Sequence, residues 1–215
     1  MDEKANIQSG GMLAFIVILF LLVIPTIVVV TSKVKDCEAE INKAKLLFLE
    51  EELQKRSISL YIKKHTPKIP VEVAYLIANN ILDAAEKNNL NPSLIVGLIQ
   101  VESDFNPMAS SHKGALGLMQ VVFKVWKDEY ELTAKEDLYD IATNIRVGSA
   151  ILAYYINSKG DVSAGLNAYN GQGSNGNFDA KVYASVGRFV IHKTYNEKTV
   201  ERKSKERDGE KSNEV

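Results

Sequence analysis

Cysteine is almost absent from this chain: Cys37 is the single one in 215 residues, which excludes an intramolecular disulfide framework. Only three histidines occur, His65, His112 and His192, too scattered for a zinc-ligand pattern, so no metal and no cofactor is expected. An excess of either charge is also lacking. The net charge of −1 gives no reason to expect nucleic acid or an acidic polymer as partner. No segment sustains the apolar/polar alternation of a half-buried strand, so the fold class predicted is mainly α. A chain of 215 residues has room for one compact domain and accessories, not for two full cores.

What is present begins at the N-terminus. After a short tail over 1–11, the run Met12–Val30 is apolar throughout and carries no charge. At 1.5 Å per residue, roughly 20 residues cross a hydrocarbon layer of about 30 Å, so 12–31 is expected to be a transmembrane helix. Pro25 is tolerated in such a span. The competing reading is a cleaved signal peptide, whose apolar region is shorter and follows a basic segment; here two acids and one lysine precede the run. Residues 32–65 are rich in Glu, Lys and Leu and free of Gly and Pro. With Glu51–Lys55 and Glu52–Arg56 at i,i+4, they read as a helical stalk. Thr66-Pro67-Lys68-Ile69-Pro70 breaks that helix and marks a boundary.

From 66 to 194 the pattern is a helical domain. Helices are predicted over Val71–Asn88, over Ser93–Glu102 with Asn91 as N-cap and Pro92 at the first position, over Leu116–Trp126, over Ile141–Asn157 closed by Gly160, and over Val162–Tyr169 and Asp179–His192. The tail over 195–215 alternates charges with few apolar residues and is expected to be disordered.

Three short motifs stand in order in that domain: Glu102-Ser103 with Phe105-Asn106-Pro107, then Gly114-Ala115-Leu116-Gly117-Leu118-Met119-Gln120, then Ala168-Tyr169-Asn170. Each alone is weak. Together, with Asn144-Ile145 and Gly148, they resemble the lytic transglycosylase domain of the soluble-lytic-transglycosylase type, within the goose-type lysozyme superfamily. The resemblance runs from about Ile77 to Phe189. It implies a lysozyme-like helical domain, preceded here by the transmembrane helix and stalk, that binds peptidoglycan glycan strands. It also implies cleavage between N-acetylmuramic acid and N-acetylglucosamine. The family's catalytic acid falls on Glu102, and its substrate-contacting positions fall on Ser111, Met119, Gln120, Tyr169 and Asn170.

The residues themselves agree with that chemistry. A glycosidic oxygen leaves only if an acid still holds its proton near neutral pH. Glu102 follows Ile95, Leu98, Ile99 and Val101 and ends a helix; apolar surroundings and the negative dipole end both favour the protonated form. Two-carboxylate glycosidases hold a second acid about 5–9.5 Å away, but after Asp104 no acid occurs until Asp128. Asp104 is expected to leave the cleft. One carboxylate points to a substrate-assisted route in which the muramoyl C6 hydroxyl closes onto C1, giving 1,6-anhydro ends without water. A hydrolytic muramidase and a non-catalytic glycan-binding assembly subunit are the alternatives. Trp126 is read as core rather than sugar platform, His112 as a loop residue and Asn144 as a structural hydrogen-bonder. The sequence departs from the family after Asn170, with Gly171-Gln172-Gly173-Ser174, and at Val122-Phe123.

Lys33 and Lys35 after the run, against Lys4 before it, would by charge count keep the domain inside. Wall cleavage instead requires the single-pass protein to face its catalytic domain toward the wall, in a bacterial envelope or a phage virion membrane. Secretion or virion assembly partners fit that setting.

Overall fold

The computed structural model describes residues 3–171 and 177–212, with side chains from 1–18, 22 and several positions beyond 196 outside the described set. The elements are α1 (Glu3–His65), α2 (Val71–Asn88), α3 (Pro92–Ser103), β1 (Ala115–Leu116), β2 (Val121–Val122), α4 (Phe123–Trp126), a 3₁₀ turn (Lys135–Tyr139), α5 (Ile141–Lys159), α6 (Val162–Tyr169) and α7 (Phe178–Ser212). The chain divides into two compact units, Met1–Glu52 and Leu53–Val215.

The first unit is helix alone. Its described apolar side chains, among them Phe20, Leu21 and Val28, are between 41% and 68% exposed. Among the described residues no helix is long and apolar enough to cross a membrane. The expected transmembrane helix therefore is not shown, since the side chains of Met12–Ile18 and Leu22 lie outside the described set.

The second unit begins before the expected boundary at Thr66. Leu53–His65 belongs to it, because Ile58, Tyr61 and Ile62 are buried. Their i, i+3, i+4 spacing forms the inward stripe of a core helix, so the stalk expected over 32–65 loses its last part to the domain.

Helix α3 is the hub. Leu94, Ile95, Val96, Gly97, Leu98 and Ile99 are all buried, as befits a helix that is apolar all round. It packs on α7 and α2, while α5 packs on α6 and α2. Side chains cap three of the helix starts, Asn91 being the one expected from the sequence. Asn91 accepts from the Ser93 N–H at 2.8 Å, Asp140 from Thr143 at 2.8 Å and Asp161 from Ala164 at 2.8 Å. Gly160 ends α5 in the left-handed region.

Two expectations are corrected. Leu116–Trp126 is not a helix. It is an antiparallel hairpin pairing Ala115 with Val122 and Leu116 with Val121, followed by one turn of helix in α4. Gly117 at φ 74° and Gln120 at φ 51° bend the chain between the strands, and the backbone groups a helix would need are bonded elsewhere. The tail expected to be disordered continues α7 to Ser212. Lys, Arg and Glu are good helix formers, and a helix already nucleated in the core extends at little cost.

The bonds that replace the helix come from Asn144. Its side chain is buried and donates to the Leu116 carbonyl at 2.9 Å and the Leu138 carbonyl at 2.7 Å. Its Oδ1 accepts from the Met119 N–H at 2.7 Å. A Cβ on Gly117 would lie 2.2 Å from both Asn144 Nδ2 and the Leu138 carbonyl, so only glycine fits. Asn144→Ala would strip the Met119 N–H of its acceptor and take a donor from the Leu116 and Leu138 carbonyls, at about 1–3 kcal/mol for each buried group left unmet. Denaturant unfolding of that variant should show a loss of about 3 kcal/mol or more.

Candidate active site

Glu102 sits one residue from the end of α3. The helix stops there because Asp104 and Phe105 both take left-handed conformations, at φ 47° and 62°. For a bulky residue such as Phe105 that conformation is strained. Complete burial of its ring, edge-on to Tyr61 at 6.1 Å, holds it. The stop leaves the Glu102 carboxyl at the last turn. Burial raises its pKa from 4.5 to about 7, opposed by a hydrogen bond from the Asn170 side chain. Among the described residues no second carboxylate contributes to that shift. Asp104 is exposed, and its charge acts on His65.

The loop behind Glu102 is held by side chains from three helices. Ser103 Oγ donates to the Leu118 carbonyl at 2.7 Å. Asn144 holds Leu116 and Met119 as described above. Tyr169 Oη donates to the Met119 carbonyl at 2.7 Å. Burial pushes the Tyr169 phenol well above 10, with further upward push from Glu102, Tyr130 and Tyr155. These groups therefore share one neighbourhood, and Tyr169 stays a neutral donor at any ordinary pH.

The remaining sequence-derived positions separate into two groups. Asn170 meets Glu102 directly. Gln120 is half-buried, follows Met119, and turns its amide back to the Gly117 carbonyl at 2.9 Å. Met119 is fully buried, its sulfur accepting from Ser149 Oγ at 3.6 Å over Gly148, where a Cβ would lie 2.6 Å from its own. A glycan contact through that side chain is thus corrected to a structural one: Met119 serves the site through its carbonyl. Ser111 is exposed in the preceding loop, where its hydroxyl accepts from the Ala115 N–H at 3.1 Å.

Trp126 is half-buried against Tyr130, Tyr154 and Tyr155 with ring centroids 6.0–6.3 Å apart, and His112 is an exposed loop residue. Sequence reasoning missed Ser103, Tyr130 and Tyr155. Ser103 was visible beside Glu102, whereas nothing local marks the two tyrosines. The departure after Asn170 lies, from Gln172 to Gly176, outside the described residues. Among the described residues no three His, Cys, Asp or Glu side chains gather as metal ligands.

The family model described as transglycosylase SLT domain matches residues 79–187. The chain belongs to that family. The matched SLT segment holds Glu102, the hairpin, Asn144 and Tyr169-Asn170, which is every part of the site described above. A transglycosylase of Enterobacteria phage PRD1 is 36% identical over 111 residues, covering 50% of this chain and 39% of that protein. Membrane-bound lytic murein transglycosylase C of Salmonella typhimurium is 42% identical over 80 residues, covering 34% of this chain and 22% of that one. The chain thus spans well under half the length of these relatives. An inactive mutant of the lytic transglycosylase Slt from Pseudomonas aeruginosa superposes with a TM-score of 0.41 at 24% identity, over 54% of this chain and 21% of that one.

A buried acid with a raised pKa has a stability signature. Below pH 4.5 Glu102 is protonated in both folded and unfolded chains, and no cost arises. Between 4.5 and about 7 the unfolded chain alone ionises, so the cost of keeping Glu102 buried grows to about 3 kcal/mol and then levels off. Glu102→Gln should therefore stabilise the protein at about pH 8 and leave it unchanged near pH 4. Asn170→Ala removes a bond that favours the charged form, so the Glu102 midpoint, read by carboxyl ¹³C shifts, should move up.

Proposed function

We propose that this protein is a membrane-anchored peptidoglycan lytic transglycosylase. It cleaves the β-1,4 bond between N-acetylmuramic acid and N-acetylglucosamine and leaves 1,6-anhydromuramoyl ends. The observation that carries this reading is the Glu102 carboxyl, raised to about 7 by burial with no carboxylate partner among the described residues. An acid poised there holds its proton near neutrality and, once it has given it up, can take one back. Glu102 protonates the leaving oxygen while the muramoyl acetamido group steadies the cation at C1. The same carboxylate then removes the C6 hydroxyl proton as that oxygen closes onto C1, restoring the acid. Asn170 orients the carboxyl and stabilises its charged form, and Gln120, Ser111 and the Tyr169 ring are assigned to the glycan-binding surface. Membership of the SLT domain family, and relatives named as transglycosylases, support the same chemistry.

Glu102→Gln keeps shape but has no proton to deliver, so wall clearing should fall by about 10²–10⁴-fold. The already bound C6 hydroxyl competes with water at an effective concentration of roughly 10⁵ M or more. Digestion in ¹⁸O-water should therefore leave muramoyl ends almost unlabelled, and Asp104→Asn should not change that. Label on most ends would establish a hydrolytic muramidase instead.

The anchor rests on the first unit. Met12–Val30 is uncharged, and its described large side chains stand open along the helix. Thr26 Oγ1 donates back to the Val23 carbonyl at 2.7 Å, so its hydroxyl needs no water. A relative that is membrane-bound by name supports membrane attachment, and a single-pass protein with its catalytic domain toward the wall is the arrangement we propose. Full-length protein should stay with membranes through alkaline carbonate extraction. Release into the supernatant, or an N-terminus beginning after Ser32, would show a cleaved signal.

A further inference from the structure

A cavity of about 340 Å³, whose lining does not include Glu102, is formed by Tyr61, Lys64, His65, Arg188, Ile191, His192 and Tyr195. Four of these can carry positive charge, and among the described residues no carboxylate lines it. Among the described residues neither Lys64 nor Arg188 has an ion-pair partner. Among the described residues the acid whose charge reaches His65 is Asp104, beyond the end of α3.

The hydrogen bonds around the cavity fix what the imidazoles offer. Gln100 Oε1 accepts from Tyr61 Oη at 2.8 Å and from Ser185 Oγ. The Gln100 amide N–H therefore faces His65 Nδ1, at 3.0 Å. Nδ1 must accept, which puts the His65 proton on Nε2. On α7, the Asn196 amide lies 3.0 Å from His192 Nε2, which leaves the His192 proton on Nδ1. Both rings rest against Tyr61, with centroids 4.5 Å and 5.4 Å away. Burial, together with Lys64, holds both below the usual histidine range, Arg188 adding to the effect at His65.

A cavity furnished with an ammonium, a guanidinium and two imidazole N–H donors, and with its phenol at Tyr61 already engaged, is built for an oxyanion. A carboxylate has two oxygens for these donors, while a phosphate ester has three. Ile191 and Tyr195, 72% and 69% exposed, offer an apolar wall to the carbon chain of the ester. We infer that this cavity between the end of α1 and α7 binds the phosphate group of an organic phosphate ester. The site is separate from the glycan-cutting one and does not depend on that reading.

The three histidines make the test, since His65 and His192 line the cavity and His112 does not. Full-length protein with labelled histidine, in phosphatidylcholine nanodiscs, is titrated with glycerol 3-phosphate and followed by imidazole NMR. His65 and His192 should shift saturably while His112 stays still. Arg188→Gln with Lys64→Gln, shown to be folded by circular dichroism, should bind roughly tenfold more weakly or worse; Lys159→Gln, on a distant exposed helix end, should bind normally. Adding phosphatidylglycerol to the nanodiscs separates two sources of the same group. A weaker glycerol 3-phosphate response assigns the cavity to a lipid headgroup, and an unchanged one to a free phosphate ester. The inference is overturned if no saturable shift appears at millimolar ligand, if uncharged glycerol gives the same shifts, if His112 moves in step, or if the double variant binds like the parent.

Discussion

The Asn144 side chain is the interaction on which the rest of the site depends. It gives both amide protons and its oxygen to the backbone at Leu116, Leu138 and Met119, in a place where water does not reach. Buried backbone groups must find partners, and a loop of this shape offers few of its own. Ser103 and Tyr169 complete the arrangement from α3 and α6. The loop that backs Glu102 is thus fixed by side chains from three helices, and those helices are fixed against each other by the core around α3. The geometry around Glu102 is a by-product of satisfying hydrogen bonds.

The same enclosure sets the chemistry of the acid. Dry surroundings raise Glu102 toward neutrality and raise Tyr169 beyond reach of ionisation. One environment thereby keeps one group ready to exchange its proton and pushes the other further toward its protonated form. The cost is borne by the fold as a carboxyl that would be more comfortable in water, a familiar exchange of stability for function.

Much of the scaffold was legible because its signals are local. Asn91-Pro92 announces a helix start, Gly160 a helix end, and the ordered motifs point to Glu102. The errors share a different origin. Leu116–Trp126 reads as a helix until Asn144, at least 18 positions away, takes the backbone groups a helix would use. Met119 looks like a surface contact in a motif, yet Gly148 and Ser149 of α5 enclose it. Leu53–His65 carries a core stripe, but its charged neighbours upstream disguise it as stalk. The histidine-lined cavity is assembled from residues more than 120 positions apart, so no window of sequence contains it.

The paired left-handed residues Asp104 and Phe105 have an evolutionary consequence. A helix turns by about 100° per residue, so one residue added between Leu94 and Glu102 would swing the acid to another face of α3. The stop cannot slide to compensate, because Phe105 is keyed into the core beside Tyr61. The segment should accept exchange of side chains far more readily than any change in its length. Growth by insertion is left to places outside this frame.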